Sequence, residues 1–566
     1  MVKGVIMKFS EVVVLLEELN KTNSSLEKTR ILSEFLKKCN ETDIYWISHF
    51  VRGKVFSDID KKELGVANSL IIKAICSATG INEKKVKDYW RETGDLGDVA
   101  EKAVRQKTQH TLLSRSLTLS KIIENFNLIS MLEGAGTVSK KVALISELLT
   151  NATPIESKYI VRMILGKLRL GVGDGVLRDS ISKAFKIPKE IVERAYDMAG
   201  DYGEVAKISL LKGGKGLKKI SLRVGTPIQS MLYIKVNNIK EAFKVVGKPA
   251  IIEYKFDGLR TQIHYDKKRN LLKIFTRRLE DVTNQFPDIV KYARKNLNCD
   301  SCILDSETVG LSKDKKNFIP FQKLSRRIKR KYHIEKMVKE MPVKTFVFDC
   351  LFHNGKALMD EPLEKRIKIV SKIIKKNPDL NTCPRIITSD EKEAEEFFNK
   401  ALGEKQEGVM IKSMKAKYQP GKRVGYGVKL KPGLESFDLV VVGAEWGQGK
   451  RSKFLSSYLL ACKHPKKDEF LTIGKLSSGP TEEQYEEITR LLKPLILETR
   501  GREVIVKPQV ILEVSYQEIQ KSPKYTSGFA LRFPTLKQVR YEKRLNEVDD
   551  LNKVKFNYES QFQGRL

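Results

Sequence analysis

The residues best suited to carry chemistry lie in the stretch Glu253-Tyr254-Lys255-Phe256-Asp257-Gly258-Leu259-Arg260. A strand here would place Glu253, Lys255 and Asp257 on one face. A lysine amine attacks phosphorus only when it is neutral, so Lys255 needs nearby cations or burial to disfavour its charged form. Gly258 permits a tight turn, with Arg260 beyond it. The string K-x-D-G alone is weak, because an exposed strand end explains it equally well.

Partners for this lysine follow in order along the chain. Each later segment combines strand-forming residues with charges at one end or on one face: Thr276-Arg277-Arg278, Leu304-Asp305-Ser306-Glu307, Phe346-Val347-Phe348-Asp349, Glu407-Gly408-Val409-Met410-Ile411-Lys412 and Val428-Lys429-Leu430-Lys431. With Lys255 as the nucleophile, these segments supply spaced carboxylates of the kind that bind Mg²⁺ and several cations for a triphosphate.

This ordered series resembles the nucleotidyltransferase superfamily of DNA ligases, RNA ligases and mRNA capping enzymes. The resemblance is closest to ATP-dependent DNA ligases of the archaeal and eukaryotic replicative type, and it spans essentially the whole chain. The helical N-terminal third of the chain, which contains Gly166–Gly175, resembles that family's DNA-binding domain. Three later segments resemble the C-terminal domain of the same family: Phe437–Ala444, Ser515–Pro523 and Ala530–Pro534.

The resemblance implies a role for each site residue. Lys255 would form the phosphoramide to AMP, and the ATP-binding residues would be Glu253 on the adenine, Arg260 and Arg277 on phosphate and ribose, Glu307 on ribose or metal, Phe348 stacked on the adenine, and Arg423 and Lys429 on the phosphates. Glu307 and Glu407 would bind Mg²⁺. Secondary candidates are Asp257, Lys431, Arg532 and Lys543, the last for pyrophosphate departure.

The sequence departs from the family pattern in two places. The last motif usually reads R-x-D-K, whereas this chain has Arg540-Tyr541-Glu542-Lys543. Asp305-Ser306-Glu307 replaces a form that often has glycine in the middle. The first departure weakens the role of Lys543, because glutamate reaches further than aspartate.

Several residues keep a second, purely structural interpretation. Phe348 on an apolar strand could be plain core, Asp305 could only orient its neighbours, and Arg278 could be a solvated charge. Gly171–Gly175 either presents backbone N–H groups to phosphate or forms a tight interhelical turn. The basic run 326–331 either faces DNA or is a solvated helix end.

Composition favours a polyanionic partner. The 105 Lys and Arg residues against 70 Asp and Glu give a net charge of +35, so binding to nucleic acid should weaken with salt. A lysine-rich proteome from an unusual habitat would give the same excess. Seven scattered cysteines, with Cys299 and Cys302 as the single C-x-x-C, fit reduced cytosolic thiols better than a metal site. The sequence shows no membrane span or signal peptide, so we expect a cytoplasmic, nucleoid-associated protein.

The elements that must position these residues fall into three predicted domains. Residues 1–222 are predicted to form an all-α DNA-binding domain, 223–435 an α+β nucleotidyltransferase (adenylation) domain, and 436–566 a C-terminal OB-fold β-barrel. The Lys- and Gly-rich stretch 212–216 reads as a linker or a phosphate-contacting strand.

These features predict an ATP-dependent DNA ligase that seals nicks in duplex DNA, in replication, repair and recombination. The alternative is an RNA ligase or a capping-type guanylyltransferase. Expected cofactors are ATP and Mg²⁺, and the sequence leaves open ADP or GTP, and Mn²⁺, as substitutes. We expect a monomer whose substrate is nicked double-stranded DNA. Gln109–Leu113 sits where relatives dock on the sliding clamp, but it lacks aromatic anchors, and an interhelical loop would look the same.

Overall fold

The first third of the chain is helical because its apolar residues recur every three or four positions and bury one face of each helix. The computed structural model describes residues 6–563 apart from 58, 61, 108–115, 135, 169, 329, 331, 376, 433–435, 448–450, 452 and 478. Over that part, the helices of this domain are α1 (Phe9–Lys21), α2 (Ser25–Leu36), α3 (Glu41–Phe50), α4 (Asn68–Thr79), α5 (Glu83–Thr93), α6 (Leu96–Arg105), α7 (Leu119–Met131), α8 (Thr137–Asn151), α9 (Pro154–Ile164), α10 (Asp174–Phe185), α11 (Lys189–Ala199) and α12 (Tyr202–Lys218).

Helix α12 corrects one prediction. Residues 212–216, expected to be a linker or a strand, lie within this helix. The Gly-rich composition does interrupt the helix, since Gly213 adopts φ 56° and introduces a kink there. Leu217 is buried in the core of the helical domain just beyond the break, and this packing holds the last turn against the domain.

The central domain is α+β, as predicted. Its strands are β1 (Leu232–Val236), β2 (Ala250–Lys255), β3 (Leu259–Asp266), β4 (Leu271–Thr276), β5 (Ser301–Leu311), β6 (Phe318–Ile319), β7 (Val343–His353), β8 (Lys356–Ala357), β9 (Leu380–Thr382), β10 (Arg385–Thr388), β11 (Gly408–Ser413) and β12 (Arg423–Leu430). Its helices are α13 (Ile239–Val246), α14 (Pro287–Asn296), α15 (Phe321–Ile328), α16 (Ile334–Glu340), α17 (Leu363–Ile373) and α18 (Glu391–Gly403).

Two sheets form the frame of this domain. One has the order β1-β12-β11-β2-β10, and the other has the order β4-β3-β5-β7-β8, with β6 added to β5 and β9 to β7. The short segment 256–258 connects β2 of the first sheet to β3 of the second. The chain therefore passes from one sheet to the other directly after Lys255.

The C-terminal domain is β-rich, as predicted. It contains β13 (Ser436–Trp446), β14 (Leu455–Lys463), β15 (Phe470–Leu476), α19 (Glu482–Leu492), β16 (Ile496–Arg500), β17 (Glu503–Val506), β18 (Ile511–Ser515), β19 (Glu518–Lys521), β20 (Phe529–Arg532), β21 (Thr535–Val539) and α20 (Leu551–Gln563). The long strand β13 pairs with β14, β17 and β18, with register shifts at Val441/Gly443 and Glu445/Trp446. Such irregularities bend a strand, so that different parts of β13 can pair with different neighbours in a curved sheet.

The predicted boundaries at 222 and 435 stay predictions. Helix α12 ends at Lys218, β1 begins at Leu232 and β13 begins at Ser436. None of the helices in the described residues is long and apolar enough to cross a membrane.

Candidate active site

Lys255 is the last residue of β2, a strand flanked by β10 and β11. Antiparallel pairing puts Lys255 opposite Gly408, and the Glu407 amide donates a 2.9 Å hydrogen bond to the Lys255 carbonyl. This register brings the Glu407 carboxylate onto the Lys255 amine, with which Oε2 forms an ion pair. The Lys431 ammonium reaches the same oxygen at 2.8 Å. The Lys255 amine is therefore engaged by a carboxylate in this structure, whereas attack on phosphorus requires a neutral amine.

Basic side chains from separate segments surround this pair. Burial lowers the pKa of Lys429 on β12, and the positive charges of Lys255, Lys431, Arg423 and Arg277 lower it further. These four cations are therefore close enough to repel the Lys429 ammonium, although Arg277 follows β4 of the other sheet. A cluster of like charges is stabilised by a bound polyanion. This arrangement suits a triphosphate.

Two carboxylates of the site have opposite electrostatic surroundings. Burial by itself would raise the pKa of Glu407, but Lys255 and Lys431 outweigh it and lower the pKa to about 2. Burial raises the pKa of Glu307 to about 8, against the influence of Lys255 and Arg260. Glu407 is thus ionised at neutral pH and Glu307 is mostly protonated in the free protein.

Gly258 allows Glu307 to approach. Its role is not the tight turn expected from the sequence, because its φ lies outside the left-handed region that favours glycine. A Cβ at this position would lie 2.7 Å from the Thr308 carbonyl oxygen and 2.9 Å from Glu307 Cγ. Only glycine therefore lets the chain lie directly against β5 here.

Glu253 is buried two residues before Lys255 and is surrounded by cations. Its Oε2 accepts a 2.6 Å hydrogen bond from Lys412, and its Oε1 lies 3.2 Å from an Arg385 nitrogen. Within the described residues, Glu253 Oε1 and Arg385 Nη1 both lack a hydrogen-bond partner. A buried polar atom without a partner is costly, so this corner is suited to a ligand that offers both a donor and an acceptor.

Phe348 lies beside this corner, half-buried on β7. The Lys412 ammonium is 4.7 Å and the Arg260 guanidinium 5.4 Å from its ring centroid. Sequence reasoning missed Arg385 entirely and gave Lys412 no role. No local signal marks Arg385, a single arginine on a short edge strand whose partner Glu253 lies far away in the chain.

Arg260 is fixed by Asp305, which is fully buried. Two hydrogen bonds of 3.0 Å and 2.5 Å join the guanidinium to the carboxylate, and a third of 3.1 Å reaches the Met231 carbonyl. Burial acts to lower the pKa of Arg260, but Asp305 raises it well above its ordinary value. The structural interpretation of Asp305 as an orienting residue therefore has direct support.

Asp257 does not share the strand face of Glu253 and Lys255, since β2 ends at Lys255. Its Oδ2 instead accepts a hydrogen bond of 3.3 Å from the Phe321 amide. The expectation of one face for all three residues was wrong, because the strand ends two residues too early.

The two C-terminal candidates lie within the β-rich domain. Arg532 pairs with Glu518 at 3.0 Å, and Lys543 pairs with Asp438 at 2.6 Å. Arg540 shares the same aspartate at 3.1 Å. Across the described residues, neither Arg532 nor Lys543 forms an ion pair or hydrogen bond with the central domain, so their roles at the nucleotide stay predictions.

Three further predictions concerned contacts with macromolecules, two with DNA and one with a sliding clamp. In the basic run, Arg327 is fully buried: it makes two hydrogen bonds of 2.9 Å and 2.5 Å to Asp288 and packs on Phe286. It is a core residue and not a DNA contact, while Arg326 and Arg330 are exposed. Residues 170–173 belong to the connection between α9 and α10, and Asp174 and Gly175 begin α10, so a phosphate contact of this stretch stays a prediction. The Gln109–Leu113 stretch lies outside the described residues, and all seven cysteines are free.

Comparisons with known proteins cover almost the whole chain. Family models match residues 8–182 (DNA ligase N terminus), 230–431 (ATP dependent DNA ligase domain) and 451–543 (ATP dependent DNA ligase C terminal region). A DNA ligase of Nanoarchaeum equitans is 42% identical over 566 residues, covering 99% of each chain. One of Thermococcus onnurineus is 39% identical, covering 98% of each chain. The solved structure designated Pmar-Lig_PreS3 shares the fold, with a TM-score of 0.57 at 18% identity, covering 93% of this chain and 99% of that one.

Proposed function

This chain belongs to the ATP-dependent DNA ligase family, and we propose that it seals nicks through a covalent Lys255–AMP intermediate. It is an enzyme that forms phosphodiester bonds in DNA at the expense of ATP. The observation that carries the role of Lys255 is its ion pair with Glu407, which also binds Lys431, beside a cluster of cations around Lys429 to which Lys255 belongs. No other lysine of a K-x-D-G string is available in this sequence.

In the proposed first step, Lys255 Nζ attacks the α-phosphorus of ATP, a phosphoramide bond forms, and pyrophosphate leaves. Attack requires a neutral amine whose proton would pass to solvent, and the ion pair with Glu407 opposes this loss by stabilising the ammonium. Lys431 competes for the same carboxylate oxygen, so a shift of Glu407 towards Lys431 would release the nucleophile. Arg277, Arg423 and Lys429 would face the phosphates and stabilise the charge that develops there.

The adenine would bind between Phe348 and the Glu253 corner. Glu253 Oε1, which has no hydrogen-bond partner in the described residues, would accept an N–H of the exocyclic amino group, and the Phe348 ring would stack on the base. Arg260, held by Asp305, would contact the ribose or the α-phosphate.

Mg²⁺ fits the two carboxylates of the site. Mg²⁺ is commonly held by one or two carboxylates together with substrate phosphates. The described residues contain no group of three or more His, Cys, Asp and Glu side chains that could hold a metal ion by themselves, so the phosphates of ATP would complete the site. Glu307 and Glu407 would hold the ion, and Glu307 would have to release its proton to do so. The bound ion would neutralise phosphate charge.

The later steps involve the DNA. AMP would pass from Lys255 to the 5′-phosphate of the nick, forming a pyrophosphate linkage as the phosphoramide breaks. The 3′-hydroxyl would then displace AMP to close the strand. We propose that the helical domain grips the duplex through its phosphates, because a ligase must be indifferent to sequence. Monomeric state, contact with a sliding clamp and a cytoplasmic location remain proposals from the sequence.

The comparisons favour DNA joining over the RNA ligase or capping alternatives. Both the model of the helical domain and that of the C-terminal region describe DNA ligases. A capping-type enzyme would not need a helical domain of this length before its lysine motif.

The deciding experiment is labelling with α-phosphate-tagged ATP, followed by addition of nicked duplex. Wild type should form a labelled protein and lose the label to the DNA. Lys255→Ala should not label, yet should retain part of the sealing of a pre-adenylated nick. Lys244→Ala, on the exposed face of α13, is the matched control and should behave as wild type. Equal loss of both activities in Lys255→Ala would make Lys255 a structural residue, and a label that stays on the protein with nicked duplex would favour the alternatives.

A further inference from the structure

The Tyr418 hydroxyl is buried at a point where three parts of the molecule meet. It lies 3.0 Å from Asp305 Oδ2, 3.3 Å from the Met231 amide nitrogen and 3.3 Å from the Gln229 carbonyl oxygen. No catalytic step described above uses this side chain. A tyrosine hydroxyl so far from water normally exists to satisfy specific partners.

The chemistry of the Tyr418 hydroxyl determines the direction of its hydrogen bonds. The hydroxyl has one proton, and the Asp305 carboxylate, which also accepts from Arg260, is the stronger acceptor, so the hydroxyl donates to Asp305 and accepts from the Met231 N–H. Met231 in turn accepts from Arg260, and Arg260 donates twice to Asp305. Four residues thus close a ring of hydrogen bonds: Arg260, Asp305, Tyr418 and Met231.

The same segment is bound by the helical domain. The Gln229 side-chain amide donates a 2.9 Å hydrogen bond to the Tyr196 hydroxyl of α11, and Tyr196 stacks on Tyr202 at 3.8 Å. Met198 of α11 packs in one apolar cluster with Met231 and Tyr418. Helix α11 therefore contacts the 229–231 segment, which carries one member of the ring, Met231, and its neighbour Gln229.

We propose that Tyr418 is a positioning residue: it holds Asp305 and the 229–231 segment so that Arg260 is fixed in the orientation needed for the nucleotide. Because Gln229 binds Tyr196 of α11, docking of the helical domain also fixes the 229–231 segment, and this segment acts on Arg260 through the same ring. The inference rests on the proposed contact of Arg260 with ATP. Without the hydroxyl, Asp305 loses a charge-assisted hydrogen bond and Arg260 gains freedom to rotate away.

Tyr418→Phe tests this in the full-length enzyme, because it removes one oxygen and keeps the ring packing. The KM for ATP in self-adenylylation should rise about tenfold, as expected for loss of a hydrogen bond to a charged group, while the maximal rate changes little. Tyr426→Phe is the matched control: the Tyr426 hydroxyl is buried and has no hydrogen-bond partner in the described part of the chain. It should leave the KM unchanged.

A double-mutant cycle separates positioning from a general structural effect. In an Arg260→Ala background, Tyr418→Phe should add no further increase in KM, because the group that it positions is gone. Additive effects would overturn the proposal, as would a silent Tyr418→Phe beside an impaired Arg260→Ala. If Arg260→Ala itself is silent, the proposed contact of Arg260 with ATP is wrong, and the inference falls with it.

Gln229→Ala tests the link to the helical domain. It should raise the KM in the same direction by about twofold to threefold, the cost of a neutral hydrogen bond, and should have no effect when combined with Tyr418→Phe. An unchanged KM in Gln229→Ala would show that docking does not reach the pocket by this route.

Discussion

Asp197 on α11 offers a sharp test of the contact between the helical and central domains. Burial raises the pKa of its carboxyl to about 7, with Lys422 and Arg194 acting against it and Glu193 and Asp360 adding to it. The two nearby cations are already engaged, Lys422 with Glu193 at 2.8 Å and Arg194 with Asp360. Asp197 is thus protonated in the docked protein over a range where a free aspartate would be ionised.

The sign of the pH dependence follows from proton binding. Below the ordinary value of 3.8, Asp197 is protonated in both states; between 3.8 and about 7 the folded protein retains a proton that the unfolded chain releases. Stability therefore falls as pH rises through this range. The difference between the two pKa values, 3.8 and about 7, corresponds to at most about 4 kcal/mol of stability at about 1.4 kcal/mol per pH unit. This is an upper limit, because Asp197 is only half-buried by exposed area.

Asp197→Asn should abolish this decline. Between about pH 5 and about pH 8, wild type should lose up to about 3 kcal/mol more than the variant. Urea unfolding followed by tryptophan fluorescence in a Trp446→Phe background reports the helical domain, since the remaining two tryptophans, Trp46 and Trp90, lie there. Asp468→Asn, exposed in the C-terminal domain, is the control and should parallel wild type. Parallel curves for wild type and Asp197→Asn would refute the reasoning.

Three further predictions concern buried or crowded charges. Arg366→Met leaves the buried Asp349 carboxylate without its two hydrogen bonds of 2.7 Å and 3.0 Å and should cost about 3–5 kcal/mol in urea unfolding; a change below about 1 kcal/mol would contradict it. Arg327→Met should be destabilised similarly through Asp288, with the salt dependence of DNA binding unchanged; a shallower slope in a binding titration would restore the DNA-facing interpretation. Lys429→Gln should leave the thermal midpoint of the free protein unchanged or raised, because it removes repulsion, yet slow self-adenylylation at least about tenfold; an unaffected rate would remove Lys429 from the phosphate site.

Much of the frame could be read from the sequence, because strands and helices are marked by local periodicity. The run Ala250–Tyr254 lies within β2, Gly408–Ile411 lies within β11, and Lys189–Asp197 lies within α11. One failure had a local origin. Glycine and lysine at 212–216 suggested a linker, but the buried Leu217 keeps the segment helical.

The sequence by itself determined the fold class, the order of the domains, the family and the set of charged residues available for catalysis, since all of these depend on types and spacing along the chain. Only the tertiary structure decided which charges meet. Lys255 and Glu407 are 152 residues apart, and they touch because β2 pairs with β11 in one register. Likewise, Arg385 reaches Glu253 and Tyr418 reaches Asp305 through strand pairing and packing of distant segments. Strand register and burial are properties of the folded whole, and they set both the partner and the protonation of each group.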